Sequence, residues 1–148
     1  MISGKLVRLV ESHEQEIIDR VAKQIRHDPN LSQMPAILGS GLRQWHRELY
    51  ESLNHWLAEG DSETMARRFE HVGRERFKQC IPLHECVHNL CSLRENLLDF
   101  VEENTFNKDS VELYAEKELD RRVGRFFDLS IVHLVQGYES ASGRAAAA

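Results

Sequence analysis

The stretch Gly73–Phe100, GRERFKQCIPLHECVHNLCSLRENLLDF, decides how the rest of the chain is read. It joins the end of one amphipathic segment to the start of another across Cys80-Ile81-Pro82. Proline lacks an amide hydrogen and has a fixed φ, so Pro82 suits the first turn of a helix, where the missing donor costs nothing. Beyond it Leu83, Val87, Leu90, Leu93, Leu97, Leu98 and Val101 fall on several faces of a helix running to about Glu103. A helix apolar on several faces belongs in the interior. Before it, Met65, Phe69, Val72 and Phe77 form the inward stripe of a helix over Ser62–Gln79, with Arg67, Arg68, His71, Arg74 and Lys78 mostly outward. Gly73 lies on the inward side. Glycine in a helix costs about 1 kcal/mol relative to alanine, so its presence there predicts the close approach of another helix.

The flanking sequence repeats the helical pattern. From Lys5 to Arg26 the apolar residues Leu6, Val10, Ile17, Val21 and Ile25, widened by Val7 and Ile18, predict one long helix. His27-Asp28-Pro29-Asn30 ends it, because proline disfavours helical geometry in the residue before it. Pro35 opens a short turn to Leu38, and Gly39-Ser40-Gly41 bends the chain into a helix carrying Leu42, Trp45, Leu49, Leu53 and Trp56 on one side. His46 and His55 flank that stripe and read as boundary residues. Gly60-Asp61-Ser62 supplies a stop and a fresh N-cap.

After a loop at Asn104–Lys108, Asp109 and Glu112 resemble a capping box that opens the last helix, Ser110 to Tyr138 or beyond. Its segment Phe126–Val135 is apolar nearly all round, which requires burial inside the monomer or against a second subunit. Residues 143–148, GRAAAA, read as a tail or cloning remnant behind a single domain over residues 1–142. Alternating strand patterns are absent, so the expected class is all-α, with about five main helices and a long C-terminal one.

Composition narrows the function. The chain has 148 residues, 41% hydrophobic and 29% charged, with no apolar run of the roughly 18 residues that span a bilayer. Its N-terminus lacks the pattern of a signal peptide. A net charge of −5 with dispersed Lys and Arg gives no stripe for neutralising phosphates, so nucleic acid is not an expected partner. Three cysteines clustered between Cys80 and Cys91 read as reduced thiols of a cytoplasmic protein, most simply small core residues.

The stretch also holds the one catalytic-looking pattern. His84-Glu85-Cys86-Val87-His88 matches the His-Glu-x-x-His spacing in which two histidines one turn apart bind zinc and the glutamate activates water. Against that, Pro82 places the pattern in the first turn of its helix, no third-ligand signature follows, and no strand is expected beside it to hold a substrate. Cys91 lies roughly 10 Å along the axis from His84, too far to share one tetrahedral ion with it. His84 and His88 are therefore candidates for a metal, with solvated or interfacial side chains as the simpler reading. No cofactor is required. His13 and His133, on or near apolar stripes, read as hydrogen-bonded core or interface histidines.

Two patches carry a resemblance. Gly73-Arg74-Glu75-Arg76, Gln79, Ile81-Pro82-Leu83 and Glu85, together with Arg125-Phe126-Phe127-Asp128 and Gly137-Tyr138-Glu139, resemble the N-terminal domain of RsbR-type (RsbRD-like) regulators of the bacterial stressosome. The resemblance implies a globin-like fold without haem, a homodimer, and a role in front of an output domain such as a STAS domain or histidine kinase. Cys80 departs from the small residue, such as glycine, expected there, and the His84/His88 pair departs as well. A globin carries its proximal haem histidine on a helix between the two that here correspond to Ser62–Gln79 and Pro82–Glu103, and two or three residues leave no room for it. A histidine elsewhere, such as His71, His84 or His88, could still ligate iron. The expectation is a non-catalytic sensor and dimerisation module, with Phe126, Phe127, Ile131, Leu134 and Tyr138 as interface candidates. The alternative is a metal or haem protein, including a zinc hydrolase, built on His84, Glu85 and His88.

Overall fold

The computed structural model describes residues 4–104 and 109–147, with side chains from Val7 onward. The side chain of Leu6 and the loop residues 105–108 read from the sequence lie outside the described set. Seven helices account for the described residues: α1 (Gly4–Ser12), α2 (Glu14–Arg26), α3 (Met34–Leu38), α4 (Gly41–Glu59), α5 (Ser62–Lys78), α6 (Leu83–Glu103) and α7 (Ser110–Ala147). No strand occurs among them. The protein is all-α, with a C-terminal helix of 38 residues, about 57 Å at the usual rise.

Most boundaries follow from local chemistry. Gly60 takes the left-handed conformation, φ 67°, that ends α4, and the next residue caps α5: Asp61 Oδ1 accepts from the Thr64 amide at 3.1 Å. Asp109 does the same for α7, its Oδ1 accepting from the Glu112 amide at 2.8 Å. The predicted single helix over Lys5–Arg26 is instead two, broken at His13. Ser12 Oγ donates to the carbonyls of Arg8 and Leu9, and the His13 ring bonds Leu9 O at 2.8 Å. Side chains thus take carbonyls that the helix would use, and the backbone turns at His13, φ −117°. The residues 143–147 read as a tail continue α7 as helix and are exposed.

The core is organised by aromatic edges. Phe69 of α5 meets Trp45 of α4 at 6.2 Å and Phe126 of α7 at 5.8 Å, and Phe126 also touches Trp56 at 5.9 Å and Phe127 at 5.2 Å. Such tilted and edge-on contacts match the ring quadrupoles and add to plain burial. This corrects the interface reading of α7. Phe126, Phe127 and Leu134 are buried within one chain, while Val132 of the same segment is left exposed. Ile131 and Tyr138 are half-buried, and Tyr138 donates its hydroxyl to Ile81 O at 2.7 Å.

The most extensive helix contact is α5 on α7. A Cβ placed on Gly73 would lie 2.0 Å from Leu134 O and 2.7 Å from Tyr138 N. One on Gly137 would lie 2.0 Å from Glu70 O. The close approach expected at Gly73 is therefore present, and it is reciprocal: each helix uses a glycine to admit the other's backbone.

Candidate functional site

The polar groups that the fold buries gather between α4, α5 and α6. Sequence periodicity put Trp45 on the inner side of α4, but one step further round the helix His46 is fully buried as well, which overturns its reading as a boundary residue. His55 is exposed. On α6, the buried side includes Glu85, Cys86, Asn89 and Ser92 beside the expected leucines. On α5, Arg76 is 9% exposed.

These groups form an ordered chain of contacts. Trp45 Nε1 donates to Asn89 Oδ1 at 2.9 Å, and the Asn89 amide nitrogen lies 2.8 Å from His46 Nε2. An indole N–H can only donate, so the oxygen of Asn89 must face Trp45 and its NH₂ must face His46. His46 Nε2 is then the acceptor, and the neutral ring carries its proton on Nδ1. That Nδ1–H is buried and has no hydrogen-bond partner. Burial pulls the His46 pKa down to about 4, reinforced by the cations Arg43 and Arg76. The ring is neutral at physiological pH.

Arg76 lies with its guanidinium carbon 4.9 Å from the centre of the Trp45 ring, a cation–π contact. Its Nη1 donates to Gln79 Oε1 at 2.8 Å, its Nε has no partner, and among the described residues it makes no ion pair. Burial lowers its pKa, while Cys86, Glu48 and Glu75 act the other way. The Cys86 thiol is pushed up to about 11 by burial, so it is a neutral core group and a poor nucleophile.

The histidine pattern of α6 is taken apart by the fold. Glu85, the would-be base, is 1% exposed, and its Oε1 accepts the amides of Gln33 and Met34 at 2.9 and 3.1 Å. It caps α3, a task for which a carboxylate is well suited because those first amides have no partner inside their own helix. His84 is exposed, and His88 Nε2 is 3.2 Å from Asp28 Oδ2, tying α6 to the turn after α2. Among the described residues no group of three or more His, Cys, Asp or Glu side chains could hold a metal ion. Of the three histidines considered for iron, His71 and His84 are exposed and His88 is the half-buried one beside Asp28. His13 and His133 are half-buried and hydrogen-bonded, His133 lying 3.4 Å from Glu70 at the α5–α7 crossing.

The reading of all three cysteines as core residues needs one correction. Cys86 is buried and Cys91 half-buried, but Cys80 is exposed, with φ 60°. The Ile81 amide bonds Arg76 O and the Cys80 amide bonds Phe77 O, which is the Schellman pattern that closes a helix. Cys80 stands in its left-handed position, where glycine costs least.

The arrangement is that of an all-α fold with a layer of buried polar side chains between α4, α5 and α6. Comparisons with family models, with curated proteins and with solved structures find no match to this chain.

Proposed function

We propose that the chain is a non-catalytic sensor and dimerisation module of a bacterial signalling regulator, globin-like in descent, acting in the cytoplasm. In this reading a change in helix packing passes along α7 to an output domain. The observation that carries it is the α5–α7 crossing. Arg76 of the polar layer and Gly73 of the crossing lie three residues apart on α5, so a shift in the layer must move a backbone that α7 touches directly. Interiors this tightly packed transmit displacement and do not absorb it. α7 in turn runs on as exposed helix from Ser142 to Ala147, an extended lever beyond the packed body. The module needs two packings within a few kcal/mol of each other, biased by a ligand or partner.

For the dimer, the buried Phe126, Phe127 and Leu134 are replaced by the large apolar residues that α7 leaves exposed: Val111 at 74%, Leu113 at 40%, Tyr114 at 76% and Val132 at 49%. Light scattering on the purified chain tests this. A dimer that Tyr114→Glu converts to monomer is expected; a monomer at every concentration would remove dimerisation from the proposal. Elemental analysis and the visible spectrum of the same sample test the non-catalytic half, since a stoichiometric metal or a Soret band lost in His84→Ala or His88→Ala would overturn it.

A further inference from the structure

We propose that the outer face of α7 pairs with the same face of a second copy of this chain, antiparallel, in the register that sets Val111 opposite Val132, Tyr114 opposite Leu129 and Glu118 opposite Arg125. The inference rests on the dimer of the proposed function and deepens it by naming the seam and its direction.

The side of α7 that carries Leu119, Val123, Phe126 and Leu134 is buried in the core. On the opposite side, residues three and four apart form a single stripe from Val111 through Tyr114, Glu118, Arg121, Arg125 and Asp128 to Val132. Its ends are apolar and exposed: Val111 and Tyr114 at one, Val132 at the other. Leu113 lies off the stripe, facing Leu98 and Glu102 of α6 across a cleft. Between the ends the charges run acid, base, base, acid. Glu118 is held by Arg121 of its own chain at 3.1 Å, and Asp128 by Arg94 at 3.4 Å. Arg125 is exposed, and among the described residues it makes no ion pair.

That order of charges selects the direction of pairing. Two such stripes laid parallel and in register bring each charge against its own kind. Antiparallel pairing with Tyr114 on Val132 is no better, because Glu118 then meets Asp128 and Arg121 meets Arg125. The proposed register sets Glu118 against the free Arg125 of the other copy, twice by the two-fold symmetry, and covers the exposed apolar residues at both ends. Opposite charges across an interface fix its register, and like charges exclude the alternatives. Arg121 falls beside the two-fold axis, where the Glu118 of its own chain offsets its charge. A seam about 32 Å long and about 10 Å wide lies at the low end of specific interfaces, so dissociation in the micromolar range is expected. The exposed ends of the two α7 helices, from Ser142 to Ala147, leave such a pair in opposite directions.

The test is analytical ultracentrifugation of the intact chain and its charge-reversed variants, with circular dichroism to confirm folding. Glu118→Arg and Arg125→Glu each place like charges across the seam twice and weaken the dimer about tenfold or more. Combined in one chain they restore it to within about threefold, since the opposition is re-made with the signs exchanged. A second measurement avoids the half-buried Glu118. In chains carrying Cys80→Ser, an equimolar mixture of Val111→Cys and Val132→Cys forms a covalent heterodimer on mild oxidation, and neither variant alone does. A wild-type dimer indifferent to the reversals, weakening without rescue, or a covalent dimer of either cysteine variant alone overturns the seam and leaves the dimer itself standing. A wild-type chain that is monomeric at every concentration removes both.

Discussion

Helix α5 presents two unlike surfaces three residues apart. At Gly73 it meets α7 backbone to backbone, with no side chain between the helices and no polar group out of place. At Arg76 it meets α4 and α6 through a cation, an indole, an imidazole and a carboxamide, and donors are left over. The first contact has one solution, since van der Waals repulsion permits neither helix to slide without opening a gap. The second is satisfied incompletely, so alternative arrangements cost little more than the observed one. Stability is concentrated at the crossing, and adaptability in the polar layer.

The comparison breaks most sharply at the crossing. Gly137→Ala forces a Cβ to 2.0 Å from Glu70 O, a backbone atom that cannot rotate away. Helices must separate, and the variant is expected to lose about 3 kcal/mol or more, the upper end of overpacking costs. Urea denaturation monitored by circular dichroism reads the loss directly. Gly124→Ala is the control: nothing lies within 4 Å of its Cβ, so the better helix propensity of alanine should stabilise it by up to about 1 kcal/mol. Equal effects at the two glycines would mean that the backbone contact is not what holds α7.

The polar layer gives a smaller effect with a pH signature. His46 has a folded pKa near 4, below its unfolded value of about 6.5, so between these limits the unfolded chain binds more protons than the folded one. Stability is therefore fully present above about pH 6.5 and falls as the pH drops towards 4, by about 3 kcal/mol over the window from this group. The cations that act on it are Arg43 and Arg76. His46→Leu should flatten this part of the stability profile, measured as the urea midpoint at intervals between pH 4 and 7. A profile as steep as that of the wild type would place the titration elsewhere.

What was legible in the sequence divides along the same line. Gly73 announced the crossing because a glycine on an apolar stripe weakens its helix unless another backbone needs the space, and the caps at Asp61 and Asp109 were readable because a short side-chain oxygen before a helix has one common use. The partner glycine, Gly137, was hidden inside a helix apolar almost all round, where no face could be singled out. For the same reason Phe126 and Phe127 could be assigned to a subunit interface when they are the centre of the core. The polar layer was not legible at all. Arg76, His46 and Asn89 sit beside apolar stripes like any boundary residue, and only their mutual contacts across three helices make burial tolerable. Glu85 was noticed for its spacing to two histidines, a one-dimensional coincidence; its carboxylate answers instead to α3, some fifty residues earlier.

Beyond both surfaces, where α5 ends, stands Cys80, and it carries the smallest expected effect. The residue ends α5 immediately after Arg76 and Gln79, in the left-handed conformation that a Cβ disfavours by roughly 1 kcal/mol. Cys80→Gly removes the Cβ and should raise stability, with the gain held to about 1 kcal/mol or less because glycine also gains freedom in the unfolded chain. Cys80→Ala keeps the Cβ and discards the thiol, so it should be nearly neutral. The pair of variants separates backbone strain from sulfur chemistry in one denaturation series. If alanine stabilises as much as glycine, the thiol and not the dihedral angle is the source of the cost, and the Schellman turn would be under no strain from its cysteine. If only glycine does, the strain sits next to the polar layer, and relaxing it should also change the exchange rate of the Ile81 amide that bonds Arg76 O.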